Sequence, residues 1–354
     1  MRAPLRTVAI VGFVAFLAGC GGRSASPAAF STPGASPSTA VTGADALGRG
    51  PARPTPTATP SRAPAGCSGQ LPADNVWRAD VSKLPVHPRS AAMVASIGAG
   101  AAVHPDFGSG TYEGAPIGIP VTTVPAGQKK VTVSFEYASE SDKGPYPIPA
   151  NAKIEGGPQA DGDRHVIAFD RSACKVYELF SAFPQGGGWR AGSGAVFDLR
   201  SDKLRPAGWT SADASGLSIF AGLVRYEEVA AGRIDHAIRI TVPKTRSGYT
   251  WPATHSASSA TDAGLPQLGQ RLRLKASVNT SSMPKQARIV ADAMKRYGVI
   301  VADHGSAWFI SGAPDDHWDN DALRALKSLT GSDFEVVDTS GLVVSKTSGA
   351  VKRP

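Results

Sequence analysis

The stretch Arg164-His165-Val166-Ile167-Ala168-Phe169-Asp170-Arg171-Ser172-Ala173-Cys174-Lys175-Val176-Tyr177-Glu178-Leu179-Phe180-Ser181-Ala182-Phe183 decides the fold. Two runs rich in β-branched and aromatic residues flank the connector Arg171-Ser172-Ala173, the pattern of two strands joined as a hairpin. Side chains alternate faces along a strand. His165 therefore shares a face with Ile167 and Phe169, and Glu178 shares one with Cys174, Val176 and Phe180. The same parity sets His236 beside Ile238, Ile240 and Val242. On an apolar face a carboxyl pKa rises and a histidine pKa falls unless the groups pair. Two readings follow. One is a cleft in a concave sheet, with Glu178 as general acid or base and His165 and His236 as partners. The other is a set of satisfied Glu–His pairs that only stabilise the interior.

Outward from this hairpin, strands are expected over 131–137, 194–199, 233–242 and 271–275, with helices over 88–97 and 223–230. After Met283 the texture changes. A helix is expected over 284–297, where Pro284 suits its first turn and Gly298 its stop. Strands over 299–302, 307–310 and 334–337 and a helix over 319–329 complete the pattern. With 39 Gly and 28 Pro the chain is rich in turns. The expected fold is mainly β with short helices, sandwich-like, with a mixed α/β C-terminal segment. The globular part is read as 67–345, with 283–345 a candidate subdomain and 346–354 a disordered basic tail.

The N-terminus speaks to location. Arg2 and Arg6 precede an apolar run over 7–17, which ends in Leu17-Ala18-Gly19-Cys20. As a helix that run spans only about 16 Å, roughly half a bilayer core. This suits a signal peptide over 1–19 rather than a permanent membrane span. Leu17-Ala18-Gly19-Cys20 resembles the lipobox of bacterial lipoproteins, which implies lipidation of Cys20 and a cell-membrane anchor on the extracytoplasmic face. Residues 21–66 are mostly Ala, Ser, Thr and Pro, too poor in large apolar groups to offset the entropy of ordering. With Cys20 they are read as a lipidated tether, reaching roughly 35–40 Å as a coil. In an oxidising compartment Cys67 and Cys174 are available for a disulfide, or else they are two buried thiols.

Charge argues against one class of partner. The formal net charge is +8, but 1–66 holds six arginines against Asp45, and the tail holds Lys346, Lys352 and Arg353. Those segments contribute +5 and +3, so residues 67–345 are neutral overall. A nucleic-acid binder concentrates positive charge on its folded surface, so no nucleic-acid partner is expected.

Motifs for serine hydrolases of the nucleophile-elbow type, nucleotide-binding loops and zincin metalloproteases are missing from the chain. No cofactor or metal is expected. The acidic, glycine-rich turn from Glu155-Gly156-Gly157 to Asp161-Gly162-Asp163 suits a sugar hydroxyl or a cation, though its spacing is not that of an EF-hand. Asp315, Asp316, Asp319 and Asp321 suit a helix start. Trp209-Thr210-Ser211-Ala212-Asp213 and Trp251-Pro252-Ala253-Thr254-His255 set an aromatic ring beside polar groups, as sugar recognition requires; the same rings also suit the core edges of a β fold. Trp209, Trp251 and His255 are thus the candidate binding residues. For catalysis the candidates are Glu178, His165 and His236, with Asp163 or Asp213 as the second carboxylate.

Further stretches carry a wider likeness. They are His104-Pro105-Asp106-Phe107-Gly108, Pro145-Tyr146-Pro147-Ile148-Pro149, Gly162-Asp163-Arg164-His165, the run from Arg205 to Asp213, His255, Tyr297-Gly298 and Phe334-Glu335-Val336-Val337-Asp338. Through them the body resembles a family of secreted bacterial proteins. This implies export and a single folded unit, and it carries no activity or catalytic residue. The sequence therefore leads to a lipid-anchored cell-envelope protein that binds or cleaves polysaccharide, or to a non-catalytic surface scaffold.

Overall fold

The computed structural model describes residues 67–352. The signal segment, Cys20 and the tether expected before Cys67 lie outside the described residues, as do Arg353 and Pro354. The first strands are β1 (His104–Asp106), β2 (Thr111–Tyr112), β3 (Ala115–Pro116), β4 (Val121–Val124) and β5 (Val133–Phe135). A central group follows: β6 (Val166–Asp170), β7 (Lys175–Phe180), β8 (Phe183–Gln185), β9 (Gly188–Ala191) and β10 (Ser193–Asp198). The last are β11 (Ile238–Val242), β12 (Arg271–Leu274), β13 (Val299–His304), β14 (Phe309–Ser311) and β15 (Phe334–Val336). The α-helices are α1 (Ser90–Ile97), α2 (Ile219–Gly222), α3 (Tyr226–Ala230), α4 (Lys285–Arg296) and α5 (Asn320–Arg324). Among the described residues strand at 26% exceeds helix at 17%, so the fold is mainly β with short helices, as the sequence leads one to expect. Among the described residues no helix is long and apolar enough to cross a membrane.

The hairpin that opened the reading is β6–β7, paired in register from Asp170↔Lys175 to Val166↔Leu179. It lies inside a four-stranded sheet of order β10-β7-β6-β4. Both faces of β6 are buried. Val166, Ala168, Tyr177 and Leu179 pack with Tyr146, Ile148 and Trp189. Ile167, Phe169 and Val176 pack with Ile219, Phe220 and Leu223 on the other side. Each such side chain contributes about 1.5–3 kcal/mol by leaving water. Cys174, in the turn at φ 54°, forms a disulfide with Cys67 across a separation of 107 residues.

A second sheet has six strands in the order β1-β14-β11-β13-β12-β15. β1·β14 and β11·β13 are parallel, and the other pairs are antiparallel. Segment 283–345, a candidate subdomain from its sequence, supplies α4, β13, β14, α5 and β15. Its strands interleave with β1, β11 and β12 in one sheet, so its core is shared with the rest. Pro284 precedes α4 and Gly298, at φ 68°, ends it. A Cβ on Gly298 would stand 2.1 Å from the Leu272 carbonyl oxygen, so the turn into β13 requires glycine.

The expected disordered tail needs correction over 346–352. Val76 N–H donates to the Gly349 carbonyl at 2.7 Å, Gly349 N–H to Asp202 O at 2.6 Å, and Val351 N–H to Asp74 O at 2.8 Å. Lys346 and Lys352 do face solvent. Their charge describes side chains, whereas the backbone between them pairs with the start of the domain.

Candidate functional site

Parity assigned Glu178 to the correct face, but what covers that face is the N-terminus of α2. The Glu178 carboxylate accepts the Ser218 hydroxyl at 2.7 Å and the Ile219 and Phe220 N–H groups at 3.0 Å. Those N–H groups have no partner within the helix, so a buried carboxylate completes them. Burial pushes Glu178 up to about 7 against these hydrogen bonds, and the Asp213 charge adds to the rise. Fully buried, Glu178 caps a helix and lines no open cleft. His236 sits elsewhere. Its ring lies 3.1 Å from Glu228, which also receives Arg225 at 2.7 Å. Burial works against ionisation there, yet His236 and Arg225 hold Glu228 down to about 2. Both residues therefore leave the catalytic set.

Polar groups instead collect along a seam where the 209–218 loop meets strands of both sheets. Ser193, at the start of β10, donates its hydroxyl to Ser211 O at 2.6 Å. Ser215 N–H donates to Ala302 O at 3.0 Å, in β13. From this loop Asp213 meets Arg239 of β11: Nε lies 2.9 and 2.8 Å from the two carboxylate oxygens and Nη2 lies 2.5 Å from Oδ1. Arg239 Nη1 donates to the Ser311 hydroxyl of β14 at 2.6 Å, and Asp303 of β13 lies 3.6 Å from Nη2. Ser311 is in register with Asp106, the last residue of β1. Four neighbouring strands thus deliver Asp106, Ser311, Arg239 and Asp303 to one region, with Asp303 opposite Thr241 and so diagonal to Arg239. Beside them His165 Nδ1–H donates to Glu155 at 2.6 Å, and Nε2 faces Ala212 O at 3.2 Å.

Burial is graded across the seam. Arg239, Asp213, Ser311 and His165 are buried. The side chains of Asp303 and Glu155 keep 18% and 26% of their surface, and Asp106 is exposed. The carboxyls are driven in opposite directions. Burial, then the Asp213 carboxylate, pushes Asp303 up to about 7 against Arg239. Burial alone would also raise Glu155, but the His165 charge and hydrogen bonds, with Arg239, hold it below its ordinary value. Burial opposes protonation of His165, yet Glu155 and Asp163 lift it to about 9. Asp106 is raised by the atoms packed around it and by Glu155, while His104 and Arg239 oppose. Asp303 is thus raised while Glu155, in the field of the same arginine, is lowered, the kind of division that separates a proton-holding carboxyl from an ionised one.

The remaining candidates disperse. Asp163 is exposed beside His165 and acts on it only through its charge. Asp213 is corrected from catalytic carboxylate to ion-pair partner, because Arg239 occupies both its oxygens. Trp209 borders a cavity of about 300 Å³ with Phe197, Asp142 and Arg205. The Arg205 guanidinium lies 5.5 Å from the Trp209 ring and pairs with Asp142. Trp251 donates its indole N–H to Ser348 O at 2.9 Å and borders a different cavity. His255 pairs with Ala214 O at 2.7 Å and stands 3.6 Å from Glu140. Among the described residues no three His, Cys, Asp or Glu side chains gather as a metal site.

In the sequence Asp106, Arg239 and Asp303 belong to no chemical motif, and Glu155 stands only within an acidic turn. Arg239 carried a usable signal, since it is a charge between Ile238 and Ile240 in an expected strand. No protein-family model, curated protein or solved structure matches the chain.

Proposed function

We propose that the chain is a lipid-anchored, extracytoplasmic cell-envelope protein that binds polysaccharide and hydrolyses glycosidic bonds at the Arg239 seam. The observation that carries this reading is the placement of Asp106, Glu155 and Asp303 in the field of one buried arginine, with Asp303 and Asp106 raised and Glu155 lowered. Asp303, protonated near neutrality, donates to the glycosidic oxygen as the bond from it to the anomeric carbon breaks. Water adds to that carbon and loses its proton to the Asp106 carboxylate. Glu155 is held by His165 and sets the field around both. The lipobox-like Leu17-Ala18-Gly19-Cys20 supports the anchor, and the Cys67–Cys174 disulfide suits an oxidising compartment.

The test is product analysis on envelope polysaccharides incubated with the full chain. Asp303→Asn should lower the appearance of new reducing ends by about 10²–10⁴-fold while binding persists. Binding with no products in either protein overturns hydrolysis and leaves a binding module. The closed pairs formed by Glu178, Asp213 and His236 favour the second reading, a non-catalytic surface scaffold. An absence of any polysaccharide binding would select it.

A further inference from the structure

Arginines in the folded interior find acceptors. Arg164 and Arg271 donate to carbonyls, and Arg205, Arg225, Arg239 and Arg273 meet carboxylates. Arg246 differs. Its Nε is buried with no hydrogen-bond partner, and among the described residues no carboxylate lies within 4.0 Å of its guanidinium. A buried donor left unpaired is destabilising, and an acceptor brought by a ligand would relieve it.

Arg246 lines a cavity of about 250 Å³ together with His87, Arg89, Trp251, Gln267 and Gln270. Arg89 also meets no carboxylate within 4.0 Å among the described residues. Gln270 is only 7% exposed, and the protein contacts of the described residues include none to its side-chain amide. His87 accepts the Arg89 N–H on Nδ1 at 3.1 Å, which leaves Nε2–H as a donor. One opposing charge borders the cavity: Asp338, whose carboxylate accepts the Ser340 N–H at 2.9 Å. Two unpaired guanidiniums, a buried amide and an indole edge thus share one concavity, in a body that carries no net charge.

We infer that this cavity binds an anionic sugar unit, its carboxylate or phosphate held by Arg246 and Arg89 and its ring set against Trp251. Guanidinium recognises both anions through paired N–H donors, and an amide serves sugar hydroxyls. The inference rests on the polysaccharide reading and narrows it to acidic envelope polymers.

Calorimetric titration of the full chain tests it with three probes: galacturonate oligomers, phosphomannan oligomers carrying mannose phosphate, and neutral dextran oligomers. One acidic probe should bind at least tenfold more tightly than dextran and weaken with salt. The stronger of the two distinguishes carboxylate from phosphate. Arg246→Gln should remove that preference while dextran binding and cleavage at the seam stay as they were. Arg89→Gln, at an exposed position, should weaken the acidic probe in the same direction and keeps the test readable if Arg246→Gln fails to fold. Equal binding of all three probes, or acidic binding indifferent to both substitutions, overturns the inference and leaves the polysaccharide reading intact. Failure of every probe and of every envelope polysaccharide overturns both.

Discussion

Asp213→Asn probes the ion pair at the base of the seam. In the folded chain Asp213 holds Arg239 by Nε and Nη2 at 2.8 and 2.5 Å. Both residues are buried, at 1% and 4% exposure. Removing one partner of a buried pair costs about 3–5 kcal/mol, because the other charge is stranded away from water. Asp303 softens the loss here. It lies 3.6 Å from the same guanidinium, and the Asp213 charge is one of the causes that keep it protonated up to about 7. Without that charge Asp303 ionises at lower pH and takes over part of the pairing. The expected loss therefore lies at the low end, about 3 kcal/mol. At about 2–4 °C per kcal/mol, the Tm of the full chain should fall by about 6–12 °C.

The same variant has a pH signature. In the parent, Asp303 is raised above its ordinary value of 3.8 to about 7. Its contribution to stability is complete below pH 3.8 and is lost as pH rises through about 7. Asp213→Asn should flatten that decline. Urea denaturation followed by circular dichroism at several pH values reads both effects. A variant within about 0.5 kcal/mol of its parent, with an unchanged pH slope, would refute the reasoning.

Other outcomes follow from the same geometry. Glu178→Ala leaves two N–H groups of α2 without an acceptor, at about 1–3 kcal/mol each; the urea midpoint should fall while cleavage per folded molecule holds, and lost turnover in a fully stable variant would restore Glu178 to the catalytic set. His165, lifted to about 9, contributes stability that is present below pH 6.5 and lost as pH rises through 9. A His165→Asn variant should lack that alkaline decline in a melting series. Glu228, held down to about 2, contributes stability present above pH 4.5 and lost as pH falls toward 2, so Glu228→Gln should blunt acid denaturation between those values. Replacing Cys67 and Cys174 by serine should cost about 2–5 kcal/mol, read as a lower denaturation midpoint matched by the reduced parent.

Much of the architecture was legible because it is local. The β6–β7 hairpin shows in two runs of strand-forming residues around a short connector, and α4 shows in apolar spacing between Pro284 and Gly298. Parity even assigned Glu178 its face, since alternation is a property of the strand alone. It could not say that α2 would cover that face. α2 itself, four residues of Ile219-Phe220-Ala221-Gly222, is too short to carry a period. The ordering of 346–352 was hidden for a related reason, since backbone pairing with Val76, Asp202 and Asp74 leaves no mark on side-chain composition.

The sequence by itself determined the strand-rich character, the placement of the long helix, the neutrality of the body and the two cysteines free to pair. Only the tertiary structure decided the site. Asp106, Arg239 and Asp303 are far apart in the chain and come together because β1, β14, β11 and β13 are neighbours in one sheet, with Asp213 reaching Arg239 from the 209–218 loop and Glu155 brought in by His165. Strand order across long separations is set by which buried faces close over one another. No short window of residues encodes that choice, and the partners it brings to each buried carboxyl, His165 to Glu155 and Asp213 to Asp303, are what drive them in opposite directions.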